Sequence, residues 1–492
     1  MEILNEKEFE YCLSEIEDNF KLENTSIDEI KRSDNLIDKY KLLRKYLKNL
    51  DKTEIYEIKE KINRFLFINE EREWQKQGIS LGLNRMNKLL KLLDNPEDYL
   101  KVIHVGGTNG KGSTSAYLQS ILKESGLKVG LFTSPSVISN NDGIRINDDF
   151  ISFEDGYDYL SKIKSIWLKN YGEDDFITYF EAFTAMALLY FKDKNVDFAI
   201  FEVGLGGRYD ATNIFKKKVL SVITNIGIDH IGILGNSLEE IAYEKAGIIQ
   251  KKDHVVAYPS PEDALNIIKK VCREKDAKLT ILEKTDIKNI SLNSNYNIFS
   301  YGKYKNIKTK MVGNYQVYNC ALALLCLEKL EEQGLLSISE KNIRNGILKT
   351  SWPGRLEWVS DSPRILIDGA HNVDSINNLV SFLKKLKYNK LKILMGVLKD
   401  KEYDEIFKII SSLDAEFYLT EVPYESRKMT VDEMKKVLKK YTEHIYTFKN
   451  PEDALNVILK GNSENNVIVL TGSFYLISKL RNKLINKEQV ID

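Results

Sequence analysis

Val102-Ile103-His104-Val105-Gly106-Gly107-Thr108-Asn109-Gly110-Lys111-Gly112-Ser113-Thr114 decides how this chain folds. Residues 102–105 are a short, largely β-branched run, the pattern of a buried parallel strand. Gly107, Gly110 and Gly112 let the backbone turn tightly and bring its N–H groups close to a ligand. With a helix opening at Ser113, those N–H groups form a concave anion site suited to phosphates. Lys111 adds a point charge for the terminal phosphates, and Ser113 or Thr114 a hydroxyl for Mg2+. The match to the general phosphate loop is incomplete. Val105 stands where its first glycine is expected, and Gly112 separates Lys111 from Ser113. A glycine turn without a ligand is the plainer alternative. Strand, lysine, hydroxyl and helix in that order point instead to a nucleotide held by Gly107, Thr108, Asn109, Gly110, Lys111, Gly112, Ser113 and Thr114.

Outward from this stretch, strand patterns at 128–133, 197–203, 220–225 and 253–258 alternate with helical ones such as 180–190. Alternation of this kind builds right-handed βαβ units and a parallel sheet. Trp352-Pro353-Gly354-Arg355 interrupts it. A second set of strands follows at 364–367, 392–395, 416–419, 444–448 and 466–470, without a G-x-G-x-x-G fingerprint. Residues before 72 lack proline and glycine, and Ile37, Tyr40, Leu43, Tyr46 and Leu47 recur at helical spacing. The expected fold is therefore α/β. It has a helical N-terminal extension (1–72), a P-loop ATP-binding domain on a parallel sheet (73–351) and a smaller Rossmann-like C-terminal domain (352–492). Pro261-Glu262-Asp263-Ala264-Leu265-Asn266 recurs as 451–456, each copy behind a capping residue, Ser260 or Asn450. Proline and acids belong in a helix's first turn, so this is shared capping chemistry and not a repeat.

Composition narrows the partners. Lys+Arg and Asp+Glu both total 72, so no global basic field recruits nucleic acid or membrane. Apolar residues at 43% and charged ones at 29% are ordinary for a globular protein. Cys12, Cys272, Cys320 and Cys326 show no C-x-x-C or zinc spacing and read as reduced core thiols. The first residues lack a basic region and an apolar core, so no signal peptide is expected and the location is read as cytoplasm. The apolar run 182–191 is too short to span a bilayer.

GTNGKGS is the phosphate-loop variant of the Mur-ligase superfamily. From about Leu81 to the C-terminus the chain resembles the superfamily's folate branch, folylpolyglutamate synthase and dihydrofolate synthase. Residue by residue, the resemblance implies the following. Glu202, in Phe201-Glu202-Val203-Gly204-Leu205-Gly206-Gly207-Arg208, holds Mg2+ with Ser113, although an acid at a strand end can simply face solvent. The motif continues through Asp210-Ala211-Thr212-Asn213, where Asp210 lies with the substrate contacts. His230, in Ile226-Gly227-Ile228-Asp229-His230, binds a second Mg2+, where a buried histidine without ligand is the alternative. Lys245 is carbamylated and joins that metal, against an ammonium paired with Glu244 or Glu240. Asn319 contacts ATP, or else caps a helix. Arg355, in WPGRLE, meets phosphate, or else pairs on the surface. In Asp368-Gly369-Ala370-His371-Asn372, Asp368 contacts the nucleotide and His371 lies by the incoming amino acid, with Val373 in place of the family's proline. Ser473 lies near that amino acid, or else is a helix N-cap. After Thr133-Ser134-Pro135 the family pattern breaks: Arg145 and Asn147 survive from its E-R-I-R-x-N segment, while its glutamate and one arginine do not. Ser134 and Arg145 are the expected substrate contacts there.

The reaction so implied is ATP-dependent amide formation. Lys111, His230, Lys245 and His371 are its expected catalytic residues. ATP and Mg2+ at two sites are its expected cofactors. L-glutamate and dihydropteroate or a reduced folate are its expected substrates, in a monomer without nucleic-acid or membrane partners. Two alternatives stay open: a Mur-type ligase acting on another acid, and a P-loop signalling ATPase with residues 1–72 as its interaction arm.

Overall fold

The apolar run at 102–105 forms the strand Val102–Gly106 at the centre of a parallel sheet, every residue of it buried. The structure is a computed structural model that describes residues 9–10, 13–14, 29–33, 35–48, 56–75, 78, 80–172, 175–460 and 465–488. It divides into two units, Met1–Glu97 with Asp149–Lys194, and Asp98–Asp148 with Asn195–Asp492.

In the larger unit the first sheet runs, in spatial order, Ile144–Ile146, Val129–Phe132, Phe198–Glu202, Val102–Gly106, Leu220–Ile223, His254–Ala257 and Lys278–Ile281. Ile144–Ile146 is antiparallel to its neighbour and the others pair in parallel. Both faces are covered, as parallel sheets require. Tyr117, Ile121 and Leu122 of helix Lys111–Glu124 pack with helix Asn314–Glu332 on one core. Ile241 and Ile268, of helices Leu238–Ala246 and Glu262–Glu274, pack on another. An antiparallel sheet of Ile287–Leu292, Asn297–Tyr301 and Tyr304–Thr309 follows, which the sequence reading passed over because its strands are short and mix polar with apolar residues. The Asn297 amide donates to the Met311 and Gly313 carbonyls (3.1 and 2.9 Å) and so ties this sheet to the start of helix Asn314–Glu332.

The same unit carries a six-stranded sheet ordered Glu357–Asp361, Arg364–Ile367, Val467–Thr471, Leu391–Met395, Glu416–Thr420 and Ile445–Phe448. Only the first strand is antiparallel. Leu379, Ile406 and Met434 share one core with this sheet, and Leu455, Leu476 and Leu480 another. Helices thus cover both faces, the doubly wound arrangement whose ligand crevice lies beyond the strands' carboxyl ends. The caps expected at 260 and 450 part company here. The Asn450 side chain accepts from the Glu452 N–H, whereas Ser260 accepts from Ile226 N–H (3.1 Å) and Pro261 takes the cap position.

The smaller unit is helical. Tyr40, Leu43 and Leu47 of helix Leu36–Leu47 are buried as their spacing predicts. Arg44 pairs with Asp158 at 2.8 Å and lies over the Tyr157 ring. Helix Tyr56–Gln75 packs on Phe153–Tyr171 so closely that a Cβ on Gly156 would meet Phe67 Cε2 at 2.6 Å. No helix among the described residues is long and apolar enough to cross a membrane. Cys272, Cys320 and Cys326 are buried free thiols, and Cys12 lies outside the described residues.

Candidate active site

The phosphate loop is built by close approach. Gly107 sits at φ +141°, where an added Cβ would lie 2.0 Å from Thr224 Oγ1. Gly110, at φ +92°, precedes helix Lys111–Glu124, and a Cβ there would lie 2.6 Å from Asn319 Oδ1. Gly112 faces the Trp352 indole, whose Nε1 would be 2.7 Å from a Cβ. That contact accounts for the glycine between lysine and hydroxyl. The helix opens at Lys111, two residues before Ser113, so its unpaired first N–H groups face the turn. Lys111 Nζ donates to the Gly107 and Thr108 carbonyls, both at 3.2 Å. Burial lowers its pKa, opposed by the Glu202 carboxylate. The Thr108 and Asn109 N–H groups donate to Asn225 O, and Thr108 Oγ1 to Gly227 O.

Ser113 Oγ accepts from Gln316 Nε2 at 3.2 Å, and Gln316 Oε1 from Asn319 Nδ2 at 3.0 Å. Asn319 therefore lies inside helix Asn314–Glu332, against the loop, and is not its cap. Thr114 Oγ1 is buried with no partner among the described residues.

Glu202 is the last residue of the neighbouring strand, in register with Val105. It is buried and accepts the Ser134 N–H. Burial pushes its carboxyl up to about 7, against the pull of Lys111, Arg355 and Arg145. A carboxylate whose charge burial disfavours even with three cations nearby fits a hard cation that would bind it directly. With the Ser113 hydroxyl it offers the few protein oxygens that Mg2+ takes beside phosphate and water. Asp210 is also buried: Oδ2 accepts Leu205 N–H (2.8 Å), and Oδ1 accepts Thr212 N–H (3.0 Å) and Thr212 Oγ1–H (2.5 Å). Its carboxylate organises the glycine turn after Glu202.

Lys245 is buried on helix Leu238–Ala246, and its Nζ donates to Gly107 O at 3.0 Å. Neither acid offered by the sequence is its partner: Glu244 pairs with Arg208, and Glu240 accepts the Asn236 N–H. Burial, with help from Lys111, lowers the amine to about 7. His230 stands at φ +55°, a conformation uncommon outside glycine. Burial lowers its imidazole to about 4, and its Nε2 lies 3.9 Å from Asp229 Oδ2.

Facing these groups are the carboxyl ends of Arg364–Ile367 and Val467–Thr471. Asp368 accepts Leu356 N–H and Ala370 N–H (2.8 and 2.9 Å). His371 Nδ1 donates to Gly369 O at 2.7 Å, which leaves Nε2 facing Asp229 Oδ2 at 3.7 Å. Ser473 precedes helix Phe474–Glu488, yet its hydroxyl is buried with no partner among the described residues and caps nothing there. Arg355 lies with its guanidinium over the Phe474 ring (4.5 Å), and Arg145 with its own over Trp352 (4.6 Å).

Asp229 joins the two sets, and the sequence reading missed it as a site residue. Its Oδ1 accepts from Lys401 Nζ at 2.6 Å, its Oδ2 from Asn372 Nδ2 at 3.1 Å, and Asn372 Nδ2 also reaches Asn109 Oδ1 at 3.2 Å. Burial raises the Asp229 carboxyl, but the His371 contact and the Lys401 charge outweigh it and hold it well below the usual range. Position beside His230 was the available signal for Asp229. Lys401, in Lys399-Asp400-Lys401-Glu402, reads as a solvated turn and carried none.

Two family models match the chain: the Mur ligase middle domain over residues 105–327, and the Mur ligase glutamate ligase domain over 354–474. The dihydrofolate synthase/folylpolyglutamate synthase of Bacillus subtilis is 34% identical over 422 residues, 83% of this chain and 96% of the relative. Among solved structures, Mycobacterium tuberculosis folylpolyglutamate synthase complexed with ADP superposes with a TM-score of 0.78 at 25% identity, over 85% of this chain and 99% of that one. E. coli FolC in complex with DHPP and ADP superposes with a TM-score of 0.74 at 29% identity, over 86% and 97%. These matches run over most of this chain and nearly the whole length of each relative, and this chain belongs to the folylpolyglutamate synthase and dihydrofolate synthase branch of the Mur ligase family.

Proposed function

We propose that this ATP-dependent ligase joins L-glutamate to a pteroyl or folate carboxylate through an acyl phosphate. A free carboxylate is a poor electrophile because its leaving group is oxide. Attack of that carboxylate on the γ-phosphorus of ATP gives an acyl phosphate and ADP. The α-amine of glutamate then adds to the acyl carbon and expels phosphate, forming the amide. The observation that carries this reading is the Asn109–Asn372–Asp229–Lys401 contact set, which brings phosphate loop and second sheet together at one place. A donor activated on one side meets an acceptor held on the other, and apposition excludes the water that hydrolyses an acyl phosphate.

In this reading Lys111 and the loop N–H groups hold the β/γ-phosphates and Arg355 adds charge to them, while Asn319 touches the nucleotide. Glu202 and Ser113 hold Mg2+, which when bound neutralises charge on the transferring phosphoryl group. Ser134 and Arg145 border the acid, and His371 and Ser473 the incoming amino acid. Asp210 and Asp368 act by shaping the turns that present these groups.

A second Mg2+ at His230 needs one change. The Lys245 ammonium has three donors and no acceptor, so it cannot bind a cation. Addition of the neutral amine to CO2, with loss of a proton, gives a carbamate with two oxygens. A lysine lowered to about 7 supplies that neutral amine near neutral pH.

The test is a panel of dihydropteroate, dihydrofolate and tetrahydrofolate, each with ATP and L-glutamate, read as ADP release and amide product. ADP release should require both a pteroyl acid and glutamate. Turnover of ATP that ignores both would instead support the signalling ATPase.

A further inference from the structure

His104 lies on the phosphate-loop strand, is fully buried, and touches neither nucleotide nor metal in the reading above. Its Nε2 is 2.9 Å from Thr212 Oγ1. That hydroxyl donates its only proton to Asp210 Oδ1 at 2.5 Å, where the carboxylate also accepts the Thr212 N–H. With the proton spent there, Thr212 Oγ1 can only accept from the ring. His104 is therefore the Nε2–H tautomer, and its Nδ1 is a bare lone pair, buried with no partner among the described residues. The Phe215 ring packs edge-on against the imidazole at 5.5 Å and holds its plane.

Asp210 passes this anchorage on. Its other oxygen accepts the Leu205 N–H, so it fixes the turn that begins right after Glu202. The far end of that turn is spliced to the helix of Lys245. A Cβ on Gly207 would lie 2.8 Å from the Glu244 and Lys245 carbonyls, Arg208 N–H donates to Glu244 O at 2.9 Å, and the Asn213 amide donates to the Arg208 and Gly247 carbonyls, both at 3.0 Å.

We propose that His104 is a positioning residue: through the directed chain Nε2–H to Thr212 to Asp210, it sets the Glu202 turn and the Lys245 helix against the phosphate-loop strand. Along this chain each proton, from Nε2–H to Thr212 and from Thr212 to Asp210, meets an acceptor, and buried hydrogen bonds linked in this way rigidify the groups they join. Hydrogen-bond partners behind a metal ligand typically matter about 10- to 100-fold in affinity or activity, and His104 acts from further back, by way of Thr212 and Asp210. The inference rests on the site roles proposed above for Glu202 and Lys245.

The experiment compares His104→Gln, which keeps an N–H donor near the Nε2 position, with His104→Leu, which keeps bulk and loses the donor. Expected is a fall in kcat of about 10- to 100-fold for His104→Leu with KM for glutamate little changed, and kcat within about threefold of wild type for His104→Gln. Thr212→Val, which removes the acceptor, should match the leucine variant and carries the comparison if that variant does not fold. Independently of substrate, 15N NMR of the wild-type side chain, assigned by loss of its signal in His104→Gln, should show a protonated Nε2 and a bare Nδ1. A protonated Nδ1 overturns the chain, as does wild-type kcat in folded His104→Leu or in Thr212→Val. Because the tautomer is read without substrate, it stands even if the acid in the panel above proves not to be a pteroyl compound.

Discussion

Lys401 Nζ lies 2.6 Å from Asp229 Oδ1, and both side chains are almost wholly buried. The two residues are 172 apart in the chain, one in the part matched by the middle-domain model and one in the part matched by the glutamate ligase model. Removing one partner of a buried ion pair leaves the other charge uncompensated, the costly case. Lys401→Met should therefore lower kcat at least tenfold and destabilise the protein by about 1–3 kcal/mol, with His371 and Asn372 softening the loss. In the double variant Asp229→Asn with Lys401→Met, part of that stability should return. Additive losses in the thermal melts of the four proteins would show that the pair is uncoupled.

Gly112 should tolerate no side chain while Trp352 is present. A Cβ would meet the indole at 2.7–3.1 Å, a contact that real Cβ atoms rarely make. Gly112→Ala should cost ATP turnover tenfold or more. Trp352→Ala placed on that background should restore a measurable part of it, even though it removes the ring under Arg145. Kinetics of the two single variants and the double one check this.

Glu202 makes a pH-linked prediction. Its folded carboxyl sits at about 7, above the ordinary value of 4.5, so the charged form is disfavoured in the metal-free fold. The stability this group contributes is complete below about 4.5 and is lost as pH rises through about 7, a change on the order of 3 kcal/mol. Thermal melts in EDTA from pH 5 to 8 should show that decline, and Glu202→Gln should flatten it. Mg2+ with a non-hydrolysable ATP analogue should stabilise wild type more at pH 8 than at pH 5, since deprotonation creates the ligand. Equal stabilisation at both would place the metal elsewhere.

For Lys245 the sign runs with the amine. Its neutral fraction grows as pH rises through about 7, and only the neutral amine adds to CO2. Activity should rise over that interval and fall in bicarbonate-depleted buffer. Lys245→Ala should lose most turnover and regain part of it with a short-chain carboxylate. Full activity without bicarbonate would leave Lys245 an ordinary amine.

Much of this molecule is legible in local pattern. The β-branched run before Gly106, the spaced glycines and the helix after Lys111 specify a strand, a turn and an anion site, because each depends on neighbours a few residues away. Alternation of apolar strands with helices likewise specified parallel sheets in both parts of the larger unit. The residues quoted from motifs after strands, Glu202, His230 and His371, do fall at loop or strand ends around the phosphate loop. Other features needed the chain to cross itself. Asn109 meets Asn372 across 263 residues, Trp352 packs on Gly112, and Ser260 turns from a helix cap to the Ile226 N–H. Lys401 sits in a charged turn whose sequence looks solvated, and only the apposition of two sheets buries it against Asp229. Periodicity encodes which face of an element is apolar. Which polar side chain finds which partner depends on where distant elements come to rest, and no spacing along the chain records that.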